Sequence, residues 1–236
     1  MVARTGKPWA VVITAIVCAC VAAGALATAA TLRDQGISTT QETNTPETGT
    51  SGVGIDGCLV DPCEVLSTVP VGDITVELVA DYGQVSGRLR IGGGGVSKVI
   101  EATITSMGAT LTKDSLQCVA STLSACLLRG QVGDGTVGQV AVGRSGKWSE
   151  LAQLFESEAG YLALADITDA DPGAEVLVAQ HDCDLTVADC TTTPVYVEVY
   201  NLRGQQLGCT RDYAGLDSLP GWPAVKLTSA ALKPCA

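Results

Sequence analysis

The segment Val195-Tyr196-Val197-Glu198-Val199-Tyr200 carries the clearest secondary-structure pattern of this chain. Its valines occupy alternate positions, and two tyrosines and a glutamate stand between them. Because successive side chains of a β-strand point to opposite faces of a sheet, this alternation predicts a strand with one apolar face. The β-branched and aromatic residues of the segment favour the same structure.

Other segments with apolar and β-branched residues precede this strand along the chain, and one more follows it. Gly-, Asp- or Pro-rich turns separate them, including a glycine run at 92–95 and a hairpin turn of the Asp-Gly kind at 132–137. The pattern predicts strands at 74–80, 85–91, 99–106, 124–132, 137–142, 147–155, 161–167, 174–180, 195–202 and 206–210. We expect a mainly β domain, an antiparallel meander that forms a sandwich or a propeller-like pair of sheets. Roughly ten strands are too few for a closed propeller.

Aromatic residues are scarce, with one Phe, five Tyr and three Trp. Val, Leu, Ala and Ile must therefore supply most of the core. In the C-terminal tail, residues 216–223 contain two prolines, which predict a loop. Trp222 is expected to be the apolar anchor of that loop.

The first 57 residues differ in composition from the rest. Residues 1–8 contain basic but no acidic side chains, and residues 9–32 have no charge. At about 1.5 Å per residue, residues 9–32 can cross a hydrocarbon core of roughly 30 Å. We expect a cytoplasmic N-terminus at 1–8, a transmembrane signal anchor at 9–32, a disordered Thr-rich linker at 33–57 and an extracellular domain at 58–236. An internal boundary near position 146 is an option.

Two other fates of residues 9–32 place the domain in the same compartment. The small-residue sites Ala25-Leu26-Ala27 and Ala27-Thr28-Ala29 would allow a signal peptidase to cut after Ala27 or Ala29, which would release the domain as a secreted protein. The segment Val17-Cys18-Ala19-Cys20 resembles a bacterial lipobox, which would place a lipid on Cys20. All three alternatives put the domain outside the cytoplasm, and retention of the anchor makes the cytoplasmic membrane a partner through residues 9–32.

Eight cysteines fall in the predicted domain. They occur as neighbours in sequence: Cys58/Cys63, Cys118/Cys126, Cys183/Cys190 and Cys209/Cys235. An even number outside the cytoplasm predicts disulfides. Many connectivities are open, and proximity favours the four neighbouring pairs. A C-x-x-C pair is absent, which argues against a zinc site.

The net charge is −11, and from Asp56 onward 22 Asp and Glu stand against 11 Lys and Arg. The acidity therefore belongs to the predicted domain. Nucleic acid is not expected as a partner, because phosphate binding requires a cation-rich surface.

The loop between the predicted strands 161–167 and 174–180 is rich in carboxylates. Calcium takes about six to eight oxygen ligands, which carboxylates and carbonyl groups supply. The sequence therefore predicts a calcium site at Asp166, Asp169, Asp171 and Glu175. The alternative is that Asp and Gly serve here only as turn formers.

This loop, Asp166-Ile167-Thr168-Asp169-Ala170-Asp171-Pro172-Gly173-Ala174-Glu175, resembles the turn D-x-[DN]-x-D-G-x-x-D of FG-GAP repeats, the integrin-type or VCBS-like repeats. Asp166 matches the first acid, Thr168 replaces Asp or Asn, and the later positions match after insertion of one residue. Residues 138–150 contribute to the resemblance. It implies blade-type strands with calcium bound in the turn between them. The composition is similar to that of exported proteins of high-GC Gram-positive bacteria.

Catalytic motifs are incomplete in this sequence. A hydrolase triad would have to use His181, the only histidine, and the G-x-S-x-G nucleophile elbow is absent. We expect a binding or structural module that is not an enzyme. Its cofactor is calcium or none, and its partner is an extracytoplasmic protein or envelope polymer. The alternative is a cell-envelope hydrolase or accessory enzyme that uses carboxylates.

Overall fold

The computed structural model describes residues 60–93, 96–168, 173–183 and 190–235. These residues belong to one compact unit, Gly54–Ala236. The predicted segments 1–8, 9–32 and 33–57 lie outside the described residues. Across the described ranges, no helix combines the length and apolar character that a membrane crossing requires.

The described residues are mainly β, as predicted, and their twelve strands form three antiparallel sheets of four strands. The first sheet contains β1 (Glu64–Val71), β2 (Ile74–Ala80), β3 (Gly87–Gly93) and β4 (Val96–Glu101). The second contains β5 (Leu116–Val119), β6 (Ser124–Val132), β7 (Gly135–Arg144) and β8 (Lys147–Ser157). The third contains β9 (Leu162–Ala165), β10 (Glu175–His181), β11 (Val195–Tyr200) and β12 (Gln206–Cys209). Within each sheet, every strand pairs with the next in sequence, so the predicted meander is confirmed.

The number of sheets differs from the prediction of a sandwich or sheet pair. The alternation pattern misses β1, which contains Pro70 and lies at the edge of its sheet, where a missing backbone donor is tolerated. It also misses β5, because four residues are too few for a periodic signal. The strand predicted at 99–106 ends at Glu101 and is followed by a 3₁₀ turn, Thr103–Met107.

Tight turns join the strands of the second sheet. Between β6 and β7 the turn residues are Gly133 and Asp134, with φ +59° at Gly133, one position earlier than the predicted Asp-Gly pair. Between β7 and β8 the turn residues are Ser145 and Gly146, and both have positive φ, as a type I′ turn requires. Position 146, considered as a domain boundary, lies in a turn between two paired strands.

The sheets pack on one another in chain order, and β6 shows how. Leu127 and Leu128 are adjacent and fully buried, and they point to opposite faces of the second sheet. Leu128 belongs to the core shared with the first sheet, and Leu127 to the core shared with the third. The second sheet is therefore the middle layer, and its strand β5 contacts both β1 and β9.

The C-terminal segment covers the outer face of the third sheet. Leu219, Val225 and Leu227 are buried against apolar residues of β10 and β11. As predicted, Val195, Val197 and Val199 are buried, and the residues between them are partly exposed. The face of β11 that the alternation predicts to be apolar thus packs against the tail.

A buried glutamine connects the first two sheets. The Gln139 side chain on β7 is 1% exposed. Its Nε2 donates to the Glu101 carbonyl at 2.7 Å, and its Oε1 accepts from the Thr103 N–H at 2.8 Å. These bonds tie the chain that follows β4 to the second sheet. They also give partners to the Glu101 carbonyl and the Thr103 N–H, since a buried backbone group without a hydrogen bond is costly.

Side chains of the second sheet also satisfy the free edge of β9. The Gln117 amide on β5 donates to the Leu164 carbonyl at 2.9 Å and accepts from the Leu164 N–H at 3.0 Å. The Arg129 guanidinium on β6 donates to the Leu162 carbonyl. These bonds occupy the edge that would otherwise be open to another strand.

Three of the predicted disulfides are confirmed: Cys118–Cys126, Cys183–Cys190 and Cys209–Cys235. Cys63 is also disulfide-bonded, and its predicted partner Cys58 lies outside the described residues. Cys118 and Cys126 face each other on β5 and β6. The bond from Cys209 to Cys235 fastens the C-terminal segment to β12, where Cys209 and Lys233 also exchange backbone hydrogen bonds.

Candidate functional site

The loop between β9 and β10 carries the residues predicted to bind calcium. Asp166 follows β9 and is exposed, whereas Glu175 begins β10 and is fully buried. Asp169 and Asp171 lie outside the described residues. Among the residues that are described, no group of three or more His, Cys, Asp or Glu side chains could hold a metal ion. Calcium binding at these four positions stays a prediction.

The buried carboxylate of Glu175 closes this loop from the inside. One oxygen accepts the Ile167 N–H at 2.8 Å, and the other accepts the Thr168 hydroxyl. A buried carboxyl group must be hydrogen-bonded to be tolerated, and these two bonds meet that requirement. Glu175 therefore holds the start of the loop against β10. The acidic pattern, which assigns Glu175 to calcium, does not reveal this role.

The end of the loop contacts the second sheet. Gly173 forms an isolated parallel bridge with Leu123, in the connection between β5 and β6. A Cβ at position 173 would lie 3.1 Å from the Leu123 carbonyl oxygen and 3.0 Å from Leu202, so glycine allows this close approach. A cavity of about 240 Å³ beside the bridge is lined by two exposed arginines, Arg144 and Arg203.

A larger cavity, of about 650 Å³, lies at the opposite end of β9, and the sequence did not predict it. It opens between the second sheet, the start of β9 and the C-terminal segment. Its lining includes exposed hydroxyl and amide side chains, one carboxylate, one guanidinium and an indole: Thr110, Thr112, Gln131, Asp114, Arg129 and Trp222. Since these residues come from separate stretches of sequence, no local motif marks the cavity.

Trp222 stands between this cavity and a neighbouring one of about 430 Å³, which His181 and Asp217 help to line. We call the two cavities together the Trp222 groove. The prediction that Trp222 anchors the tail is wrong, because its side chain is 39% exposed and the nearby Leu219 is 3% exposed. The Trp222 N–H donates to the Leu219 carbonyl at 3.2 Å, so the anchor and the exposed indole belong to one turn.

Tyr161, which also lines the larger cavity, packs against the Trp222 ring. The ring centroids are 5.3 Å apart at an interplanar angle of 50°. The Tyr161 hydroxyl accepts the Val225 N–H at 3.3 Å, and the Tyr161 N–H donates to the Ser157 hydroxyl at 3.0 Å. Burial raises the pKa of the Tyr161 phenol, while the Val225 hydrogen bond and the Arg129 charge act in the opposite direction. The phenol is therefore a neutral, fixed support.

The single histidine lines the smaller cavity of the groove. His181 ends β10, and its Nδ1 lies 3.4 Å from the Thr193 carbonyl oxygen. Within the described ranges its ring makes no hydrogen bond to a carboxylate, which is the contact that orients the histidine of a hydrolase triad.

No protein-family model, no curated protein and no solved structure matches this chain. The resemblance to FG-GAP turns stays an expectation from the sequence. Function must therefore be inferred from the site itself.

Proposed function

We propose that this protein is an extracytoplasmic binding module, held at the cytoplasmic membrane by residues 9–32, that takes its ligand in the Trp222 groove. The observation that carries the proposal is an exposed indole, fixed on Tyr161, between cavities of about 650 and 430 Å³. Well-supported tryptophans are enriched among the residues that dominate binding energy, and ligand sites are concave.

The distribution of carboxylates favours binding over the alternative of a cell-envelope hydrolase. In the described lining, the larger cavity contains one carboxylate, Asp114, and the smaller contains one, Asp217. Hydrolysis of a glycosidic bond by paired carboxylates needs two such groups across the same bond, about 5 to 10 Å apart. Each cavity supplies one such group in its described lining, so a hydrolase in the Trp222 groove would need Asp114 and Asp217 to act together across Trp222.

Co-sedimentation with insoluble cell-envelope material tests the binding role. Purified full-length protein in detergent should sediment with the envelopes, and Trp222→Ala should abolish most of this retention. Tyr82→Ala is the matched control, because Tyr82 is an aromatic residue that is 68% exposed and lies in the first sheet's β2–β3 connection. Retention that is equal in the wild type and in a folded Trp222→Ala variant would contradict the proposal.

The hydrolase alternative is tested on the same material. Release of soluble fragments from the envelopes by the wild type, lost in a folded Asp114→Asn or Asp217→Asn variant, would establish an enzyme. We expect no fragment release from any of the proteins. Both aspartates are exposed, so their amide variants should fold.

Calcium binding to the loop at 166–175 is the structural part of this proposal. The loop joins two antiparallel strands of one sheet, as in the turn that it resembles, and its acids offer the oxygen ligands that calcium prefers. A bound ion would stabilise the native state, so millimolar calcium should raise the melting temperature relative to chelator, and less so in Asp166→Asn. A melting temperature that does not respond to calcium would remove the metal from the proposal.

A further inference from the structure

The charge of the Trp222 groove differs from that of the surrounding chain. The protein has a net charge of −11 and no Lys or Arg between Lys147 and Arg203. The described lining of its two cavities contains two acids and one base: Asp114, Asp217 and Arg129. An acidic ligand would therefore gain no net electrostatic attraction in the groove, whereas a neutral ligand is not repelled.

The polar groups of the larger cavity match a ligand that both donates and accepts hydrogen bonds. Thr110 and Thr112 present hydroxyls, and Gln131 presents an amide, and each of these side chains can do both. The wall is held in place, since the Thr112 N–H donates to the Ser115 hydroxyl at 2.8 Å and the Thr110 N–H bonds to the Gln131 carbonyl at 3.3 Å. Ligand hydroxyl groups have this dual character.

The Trp222 indole adds a flat apolar surface to these polar walls. Aromatic side chains provide a large apolar area with fixed geometry. A sugar ring has an apolar face of C–H groups and a rim of hydroxyls, so one ring can contact the indole and the threonine wall together. A purely apolar ligand would leave the Thr110 hydroxyl and the Gln131 amide without partners.

A peptide added as an extra strand is disfavoured at this groove. Such binding needs a free sheet edge. The nearest edge is β9, whose backbone groups at Leu162 and Leu164 already bond to Arg129 and Gln117.

We infer that the ligand of the Trp222 groove is a neutral polysaccharide of the cell envelope, which crosses Trp222 and extends into the cavities on both sides. This inference rests on the proposed binding function and adds the chemical class of the ligand. Two adjoining cavities offer more than one sugar subsite, so affinity rises with the length of the chain.

The test uses purified full-length protein in detergent and follows tryptophan fluorescence or heat during titration. The probes are neutral oligosaccharides of increasing length from glucan, mannan, galactan, arabinan and chitin, with oligogalacturonate as the acidic comparison. At least one neutral series should bind, with longer chains binding more tightly. Trp222→Ala should weaken this binding roughly tenfold or more, and Tyr82→Ala should leave it unchanged.

Thr110→Val gives a second variant that keeps the shape of the side chain and removes its hydroxyl, and it should also weaken binding. It keeps the inference testable if Trp222→Ala does not fold. Equal or tighter binding of the acidic series would overturn the inference of a neutral ligand.

Protease treatment of the envelopes separates a glycan from a protein partner. Retention that depends on Trp222 should survive this treatment and should be displaced by the neutral oligosaccharide. If it is lost, and no neutral series binds, the ligand is a protein and the inference fails while the binding function stands. If envelope retention never depends on Trp222, the proposed function itself fails, and the inference with it.

Discussion

The side chain of Gln117 bonds to both backbone groups of Leu164, donating to the carbonyl at 2.9 Å and accepting from the N–H at 3.0 Å. One amide side chain thus replaces a neighbouring strand at the edge of the third sheet. Because Leu164 is 4% exposed, water cannot substitute readily for the amide. The contact joins the second and third sheets and fixes the strand that separates the acidic loop from the Trp222 groove.

Replacing Gln117 by leucine should destabilise the protein by about 2 to 4 kcal/mol, because it leaves a buried donor and a buried acceptor without partners. Urea unfolding followed by circular dichroism measures the change. Gln206→Leu is the control: Gln206 is exposed on β12, and its change should stay within about 0.5 kcal/mol. Equal losses in the two variants would refute the structural role of Gln117.

Replacing Glu175 by alanine should destabilise the acidic loop, with a loss of about 1 to 3 kcal/mol, because the Ile167 N–H and the Thr168 hydroxyl lose their acceptor. Limited proteolysis should cut the loop faster in this variant. Asp166→Ala, at an exposed position of the same loop, should change neither stability nor cleavage in the absence of calcium. A Glu175→Ala protein as resistant as the wild type would show that the carboxylate does not close the loop.

Removal of the Cys209–Cys235 disulfide by double replacement with serine should cost about 3.5 kcal/mol on the chain-entropy model. The Cys209–Cys235 disulfide joins residues 26 positions apart, whereas Cys118–Cys126 joins residues 8 positions apart. Removal of the Cys118–Cys126 disulfide should therefore cost about 1 kcal/mol less. The first variant should also weaken retention on envelopes, since the segment that carries Trp222 then keeps only its noncovalent contacts with the third sheet. Unfolding curves and co-sedimentation check both expectations, and preserved retention without the C-terminal disulfide would contradict the second.

The Tyr200 phenol should ionise late in the folded protein. Burial, followed by the negative charge of Glu198, raises its pKa from 10.0 to about 12. Above pH 10 the unfolded chain ionises this phenol while the folded chain keeps it neutral. The contribution of Tyr200 to stability is therefore intact below pH 10 and is lost as the pH rises towards 12.

Tyr200→Phe should reduce this alkaline loss of stability, because phenylalanine has no proton to release. Denaturant unfolding at a series of alkaline pH values measures the effect, with Tyr82→Phe at an exposed position as the control. The phenolate absorbance of the wild type should contain a component that the Tyr200→Phe protein lacks. An identical pH dependence in the wild type and Tyr200→Phe would refute the expected shift.

Local patterns determined most of the strands and the three described disulfides. The period-two alternation of 195–200 indicates directly which face is apolar. The strand predicted at 147–155 is β8 (Lys147–Ser157), although Leu151, Leu154 and Phe155 stand at helical spacing. Neighbouring cysteines paired as predicted, because a hairpin or a short loop brings them together. Strands and short-range disulfides depend on residues that are close in sequence, so a local pattern is enough to predict them.

Alternation, turn residues and cysteine spacing predict the mainly β class, the meander and the three described disulfides. Three features emerge only in the folded chain: the described strands form three layers, Glu175 is buried, and Leu219 instead of Trp222 anchors the tail. An alternating pattern cannot predict them, because it shows which side of a strand is apolar and does not show what covers that side. In the Trp222 groove, residues more than a hundred positions apart meet, and only the folded chain brings Thr110, Tyr161 and Trp222 together.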